Sequence, residues 1–300
     1  MRLVTFKDGQ RAAVGVADGD RVLSLRELLG WDVGGDMREV IERFSDEDIV
    51  HDVAVALKAH RGGLPLAKVE LLAPIRPPRN VFCVGWNYAE HFEEGKKTRG
   101  ADALQQIPDH PALFSKNPDT IVGPDEPVWH SAPYSDELDW EVELAVVIGR
   151  RGRDIAEADA FDHIFGYTIA NDVSVRDVQQ QWHGRQWFKG KNFDSHLPLG
   201  PWIVTTDEIP DPQALRISSR VNGVTKQDSS TRHMVFTIPR IMRELSAGMT
   251  LYAGDVIITG TPAGVGMHRT PPEWLKPGDV TEMEIERIGV LRNTVQERSV

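Results

Sequence analysis

Over the first 25 residues, short apolar runs alternate with turn pairs: 3–6, Asp8-Gly9, 12–16, Asp18-Gly19 and 22–25. Asp-Gly between β-type runs is a strong hairpin signal, because tight hairpin turns need the positive φ that these residues tolerate, so the stretch predicts a small antiparallel meander. Two helical patterns follow, over 37–44 and 46–60, the second with Ile49, Val50, Val53 and Leu57 on one face. Arg61-Gly62-Gly63 ends it. Residues 1–70 therefore read as a small N-terminal β/α domain without evident chemistry, and 71–300 as the main domain.

Pro74, Pro77 and Pro78 mark a rigid entry to that second unit, and strands are expected at 80–85 and at 112–116, ending on Lys116. Two longer apolar runs, 142–148 and 166–170, predict core strands, and the second passes through Asn171-Asp172 into a helical pattern that starts near Ser174. Beyond residue 201 the signals are again antiparallel β, with Val221-Asn222-Gly223-Val224 as a hairpin and a helix at 238–247 carrying Pro239 in its first turn. A buried strand at 255–259 leads into the glycine-rich turn 260–266, and a strand pair around Pro277-Gly278-Asp279 closes the chain. The fold class is α+β, mainly β.

Composition narrows the function. The net charge is −11, from 45 acidic and 34 basic residues, and no basic tract breaks the pattern, which counts against nucleic-acid or anionic-membrane partners. No apolar run approaches the ~20 residues that span a bilayer. The single cysteine, Cys83, lies among Val81, Phe82 and Val84 and reads as a buried small hydrophobe in a cytoplasmic, reducing setting. An acidic protein that handles an anionic substrate needs local positive charge or a bound metal.

Candidate chemistry centres on 135–194. Glu141 and Glu143 sit two apart at the head of the 142–148 run, so on a strand they share one face. If that strand neighbours the one ending at Asp172, three carboxylates converge on one rim, where their repulsion calls for a proton or a cation. An all-oxygen set suits Mg²⁺, with Mn²⁺ or Ca²⁺ as alternatives. Glu-x-Glu is also the ordinary wet face of a half-exposed strand. His91 and Glu94, three apart, share one side of a helical turn, a spacing at which a carboxylate fixes an imidazole's tautomer and raises its basicity; a surface His–Glu pair has the same spacing. Arg176 and Gln179 share the next helix face, Arg176 suited either to a substrate carboxylate or to an i,i+4 pair with Asp172. Lys116 can hold a substrate carboxylate or merely solvate a strand end. Lys191, between aromatic residues and beside Gly190, can stabilise a developing enolate. The glycine-rich turn exposes N–H groups that can hold an anion, and it lacks the order of a P-loop or dinucleotide fingerprint.

In order along the chain these residues fall into the motifs Gly85-x-Asn87-Tyr88-x-x-His91-x-x-Glu94, Phe114-x-Lys116, Glu141-x-Glu143, the run Gly166 to Gln179, Lys191-x-Phe193-Asp194 and the run Thr259 to Gly266. The set, spanning 74–295, resembles the fumarylacetoacetate hydrolase family. That resemblance implies a mixed β-roll, usually dimeric, with Glu141, Glu143 and Asp172 as metal ligands. It implies His91 and Glu94 as an acid–base dyad on a lid over 88–110. Arg176, Gln179, Lys191 and Thr261 would lie around the 2-oxo acid end of a small substrate, with Tyr88 and Lys116 also counted as substrate-binding. A fourth carboxylate that some members carry upstream of the histidine has no counterpart near Val84, which points to the branch acting on pyruvate-containing compounds. The implied reaction is metal-dependent C–C hydrolysis of a 2,4-dioxo acid, an acylpyruvate such as fumarylpyruvate, through a stabilised pyruvate enolate. The alternative is a decarboxylase or isomerase of oxaloacetate or of a homoprotocatechuate-pathway 2-oxo diacid at the same site. A non-catalytic binding relative would lack a ligand or the dyad, and every such position is filled.

Overall fold

A computed structural model describes residues 1–31, 35–44, 47–96 and 106–298. The chain opens with β1 (Arg2–Asp8), β2 (Arg11–Asp18) and β3 (Arg21–Ser24), then α1 (Leu25–Leu29), α2 (Met37–Arg43) and α3 (Glu47–Ala59), then the short β4 (Leu64–Pro65) and β5 (Leu71–Leu72). The expected meander and helices are present; the expected start of α3 at residue 46 lies outside the described residues. Ser24 caps α1 with a reciprocal bond to Glu27, and Gly30 ends it in a left-handed conformation.

The main unit contains β6 (Val81–Gly85), α4 (Ala89–Gly95), β7 (Ala112–Lys116), β8 (Ile121–Val122), β9 (Val128–Trp129), β10 (Leu138–Asp139) and β11 (Val142–Ile148). It continues through β12 (Ile164–Asn171), β13 (Ser174–Val175), α5 (Arg176–Gln181), α6 (Phe188–Lys191), β14 (Leu197–Thr205), β15 (Arg216–Val221) and β16 (Val224–Ser230). Helix α7 (Ile238–Ser246) and strands β17 (Val256–Ile258), β18 (Val280–Ile285) and β19 (Gly289–Gln296) complete it. The loop expected at 95–110 falls mostly on residues 97–105, outside those described.

Among the described residues one large sheet runs β4-β3-β2-β1-β14-β12-β11-β17-β6-β7, with β5 on β1 and β8 on β14. The N-terminal strands join it where Arg2 and Leu3 pair antiparallel with Val204 and Ile203. A second sheet runs β16-β15-β18-β19-β9. Every residue of β11 is buried because the large sheet is covered on both sides. Leu144, Val146 and Ile148 share a core with Ile217, Met283 and Leu291 of the second sheet and with Ile241 and Met242 of α7. Ala145 and Val147 face the other way, toward Val40 and Ile41 of α2. Burial on both faces is why 144–148 reads as an unbroken apolar run.

One local expectation shifts. The helix near Ser174 begins at Arg176, because Ser174 and Val175 are drawn into a two-residue pairing with Asp139 and Leu138. That pairing brings Asp139 into the neighbourhood of the carboxylate rim.

Candidate active site

Strands β11 and β12 are antiparallel neighbours, with Val142 opposite Asn171 and Glu143 opposite Ala170. The residues just past the paired ends, Glu141 and Asp172, are tied by the Asp172 N–H donating to the Glu141 carbonyl at 2.9 Å. Glu143 follows on the same face as Glu141, so the three carboxylates meet: one oxygen from each lies within 4.8 Å of the other two, and all three side chains are buried. Oxygens with that spread can share one ion at bond lengths of about 2.1–2.5 Å, and a donor set of carboxylates alone suits a hard divalent cation. The residues present fit such an ion.

Three cations surround the rim. Lys191 Nζ lies 2.9 Å from Glu141 Oε2 and 2.6 Å from Asp172 Oδ2. Lys116 Nζ lies 2.7 Å from Asp172 Oδ1 and donates at 3.0 Å to the Val173 carbonyl. Arg176 reaches Asp139 Oδ2 through Nε at 2.8 Å, Glu141 Oε1 through Nη2 at 2.7 Å and Gln179 Oε1 through Nη1 at 3.0 Å. The carboxylates respond differently. Burial opposes charge on Glu141, but Lys191 and then Arg176 outweigh it and hold the carboxyl well below the usual range. Burial and the like charges of Asp172 and Glu141 push Glu143 well above it, only partly offset by Lys191 and by the Gly260 N–H. The two lysines also diverge. Burial wins for Lys116, which meets one carboxylate, and lowers its pKa; the two carboxylates on Lys191 overcome burial and raise it. With Glu143 protonated, Asp139, Glu141 and Asp172 balance Lys116, Arg176 and Lys191. A divalent ion replacing that proton leaves one net positive charge, suited to an anionic ligand.

The glycine-rich turn does hold anions, but they are the protein's own. Gly260 N–H donates to Glu143 Oε2 at 2.6 Å, Gly264 N–H to both oxygens of Glu94 at 3.2 and 3.0 Å, and Gly266 and Met267 N–H to Asp139 at 2.7 and 3.0 Å. Gly264 adopts φ +106°, and a Cβ there would stand 2.2 Å from the Lys226 carbonyl, so only glycine fits this turn. On α4, His91 Nδ1 donates to Glu94 Oε1 at 2.8 Å. Glu94 thus links the imidazole to the turn.

A cavity of about 600 Å³ opens on this constellation, lined by Glu141, Glu143, His91, Arg176, Gln179, Lys191 and Thr261. Thr261 Oγ donates to the Val142 carbonyl at 2.9 Å and accepts from Gln227 Nε2 at 2.8 Å. The sequence places two further residues with the substrate that the structure puts elsewhere. Lys116 is fully buried behind Asp172, its ammonium committed to that carboxylate and the Val173 carbonyl. Tyr88 is 1 % exposed, its ring belongs to the core, and its hydroxyl has no hydrogen-bond partner among the described residues; burial and then the charge of Glu143 raise its pKa. Neither lines the cavity. An Asp172–Arg176 pair does not form, since Arg176 turns to Asp139 and Glu141.

Several contributors escaped the sequence reading. Asp139 carries the same alternation, two before Glu141, but its partners 266–267 are remote in sequence. Gln227 joins Thr261 to the Val142 N–H without any local signal, and Asn87, present in the first motif but given no role there, bridges Phe236 to the Thr259 carbonyl. His268, Trp187 and Trp274 also line the cavity.

The pattern of the fumarylacetoacetate (FAA) hydrolase C-terminal family matches residues 80–296. The chain belongs to the fumarylacetoacetate hydrolase family. It is 40% identical over 299 residues to the mitochondrial oxaloacetate tautomerase fahd2 of Xenopus laevis, covering 98% of this chain and 90% of that protein. Fumarylacetoacetate hydrolase from Exiguobacterium antarcticum shares the fold with a TM-score of 0.82 at 40% identity, over 99% of this chain and 100% of that one. Maleylpyruvate hydrolase from Sphingobium sp. SYK-6, solved with manganese(II) and pyruvate, aligns with a TM-score of 0.81 at 31% identity over the whole of both chains. This family member is therefore α+β with the family fold and the family's enzymatic class. Among its described residues no helix is long and apolar enough to cross a membrane.

Proposed function

We propose that this family member equilibrates the keto and enol forms of oxaloacetate, a 2-oxo diacid, with a divalent cation held by Glu141, Glu143 and Asp172. The observation that carries the reading is that His91, held by Glu94, and the Glu141 and Glu143 carboxylates of the rim line one cavity. The near full-length similarity to an oxaloacetate tautomerase favours isomerisation over C–C hydrolysis. The ion, Mg²⁺ with Mn²⁺ or Ca²⁺ as alternatives, supplies positive charge that acidifies the carbon beside the 2-oxo group.

The chain's own residues do the rest. Glu94 holds the Nδ1–H of His91, leaving Nε2 to take a proton from C3. The same imidazolium returns it to the 2-oxygen, so a C–H bond breaks, an O–H bond forms and no C–C bond is touched. Lys191 offsets the negative charge that develops on that oxygen. Gln179, through its amide N–H, and the backbone of Thr261, whose hydroxyl is committed to the Val142 carbonyl, orient the 1-carboxylate. Arg176, with Nε, Nη1 and Nη2 each turned to a partner, acts through Gln179 and Glu141. Tyr88 and Lys116 support the site from behind. In this reading 71–300 is the catalytic domain, 1–70 is a small N-terminal domain built onto its sheet, and the working unit is a cytoplasmic homodimer.

C–C hydrolysis of an acylpyruvate such as fumarylpyruvate is the second reading, favoured by the likeness to a maleylpyruvate hydrolase bound to manganese(II) and pyruvate. There His91 would activate water instead of taking a carbon-bound proton. Enol-oxaloacetate, oxaloacetate and fumarylpyruvate offered separately with Mg²⁺ tell these apart. Faster loss of enol absorbance without pyruvate release is the expected result. Pyruvate from oxaloacetate would make the protein a decarboxylase, and pyruvate from fumarylpyruvate alone would make it a hydrolase.

A further inference from the structure

We infer a second metal site, formed by His91, Glu94 and His268 and suited to a borderline-soft transition ion such as Zn²⁺. One nitrogen from each imidazole and one Glu94 oxygen lie within 4.8 Å of one another, and all three residues are partly exposed. The imidazole rings stand 5.8 Å apart, inclined at 49°, and both line the large cavity. His91 and Glu94 are one turn apart on α4, with Nδ1 and Oε1 2.8 Å apart. His268 arrives from the turn after Gly266, and the Gly264 N–H already pins Glu94 to that turn. The fold thus delivers ligands from two distant segments to one spot. Zinc bonds of about 2.0–2.2 Å set ligand separations near 3.4 Å, which rotation of the partly exposed imidazoles reaches.

Chemistry separates this site from the carboxylate rim. Two imidazoles and one carboxylate form the donor set of zinc and its transition-metal neighbours, whereas the all-carboxylate rim suits Mg²⁺. Three protein ligands leave a coordination position open to the cavity. An ion here takes the place of the proton between His91 and Glu94. Binding does not depend on the proposed reaction; inhibition by the bound ion does, because it rests on His91 transferring protons.

The full-length protein saturated with Mg²⁺ and titrated with Co²⁺ tests the site. The visible absorption of four- or five-coordinate cobalt should grow to one equivalent, be bleached by Zn²⁺, persist in Glu143→Gln, and fall at least tenfold in His268→Ala and His268→Gln. Circular dichroism identifies which His268 variant is folded, and the polar glutamine keeps the test open if alanine disturbs the turn. Absence of the absorption in the wild type overturns the inference. So does its survival in a folded His268 variant, or its loss in Glu143→Gln, which would place the cobalt at the rim. Zn²⁺ binding that leaves turnover unchanged would uphold the site and remove His91 from proton transfer.

Discussion

The Gly264 N–H reaches both oxygens of Glu94, at 3.2 and 3.0 Å, while Oε1 also meets His91 Nδ1 at 2.8 Å. A carboxylate held from two sides stays in place, so while the proton lies between Nδ1 and Oε1 the imidazole keeps one tautomer and one orientation. Glu94→Gln preserves the shape and an acceptor for Gly264 but removes the charge that stabilises the imidazolium. The expected outcome is a fall in kcat of about 10²-fold with KM changed by less than about threefold. Steady-state kinetics with enol-oxaloacetate checks this, and an unchanged kcat would take the pair out of the proton transfer.

Glu143 makes metal binding pH-dependent. Its burial beside Asp172 and Glu141 raises its pKa, so the proton must leave before an ion is held. Lowering the pH therefore weakens the ion, and binding releases about one proton. Calorimetry of Mg²⁺ binding in two buffers of different ionisation enthalpy measures that proton directly. Glu143→Gln should bind at least about tenfold more weakly and release none; equal release from both proteins would assign the proton elsewhere.

How much of this was legible in the chain depends on the range of the interaction. The shared face of Glu141 and Glu143 follows from strand alternation, a local signal, and Asp172 joins them once the two apolar runs pair, which the sequence leaves as a condition. The His91–Glu94 contact follows from helical spacing. Asp139 was missed although it continues the 139, 141, 143 alternation, because its role is set by the Gly266 and Met267 N–H groups and by Arg176. Sequence order groups Lys116 and Tyr88 with the site, but only packing decides whether such a side chain faces the cavity or lies behind it. The turn at 260–266 advertises anion-binding N–H groups, and nothing in its sequence says that the anions are Glu143, Glu94 and Asp139.

Gly190 explains a feature that the sequence only flagged, the lysine-glycine-lysine run among aromatic residues. A Cβ at Gly190 would come within 2.6 Å of the backbone N, Cα and Cβ of Gln179, so α6 rests directly on α5 at this point. The next residue is Lys191, whose ammonium sits between Glu141 and Asp172. Gly190→Ala must push the two helices apart, at a cost of about 1–3 kcal/mol. It should carry Lys191 and Gln179 out of register together. We expect a folded protein with a lower Tm and turnover reduced by about tenfold or more. Turnover at the wild-type level would show that the helix contact does not set the position of the lysine.

His196 gives the fold an acid-sensitive point away from the cavity. The ring is 1 % exposed, stacks on Phe193 at 5.5 Å and donates from Nε2 to the Trp129 carbonyl at 2.9 Å. Its Nδ1 has no hydrogen-bond partner among the described residues. Burial therefore lowers its pKa from 6.5 to about 3, only partly opposed by the bond to Trp129. A base depressed in the folded state contributes stability above its unfolded pKa. It gives that stability up as pH falls from 6.5 toward 3, because the unfolded chain takes a proton that the folded chain refuses. Between pH 7.5 and pH 5 the loss from this group is about 2 kcal/mol, at about 1.4 kcal/mol per pH unit below the unfolded value. Urea unfolding at the two pH values should show that loss in the wild type and a loss smaller by the same about 2 kcal/mol in His196→Gln, whatever the variant's stability at pH 7.5. Parallel pH dependence in the two proteins would mean that the buried ring accepts its proton without penalty.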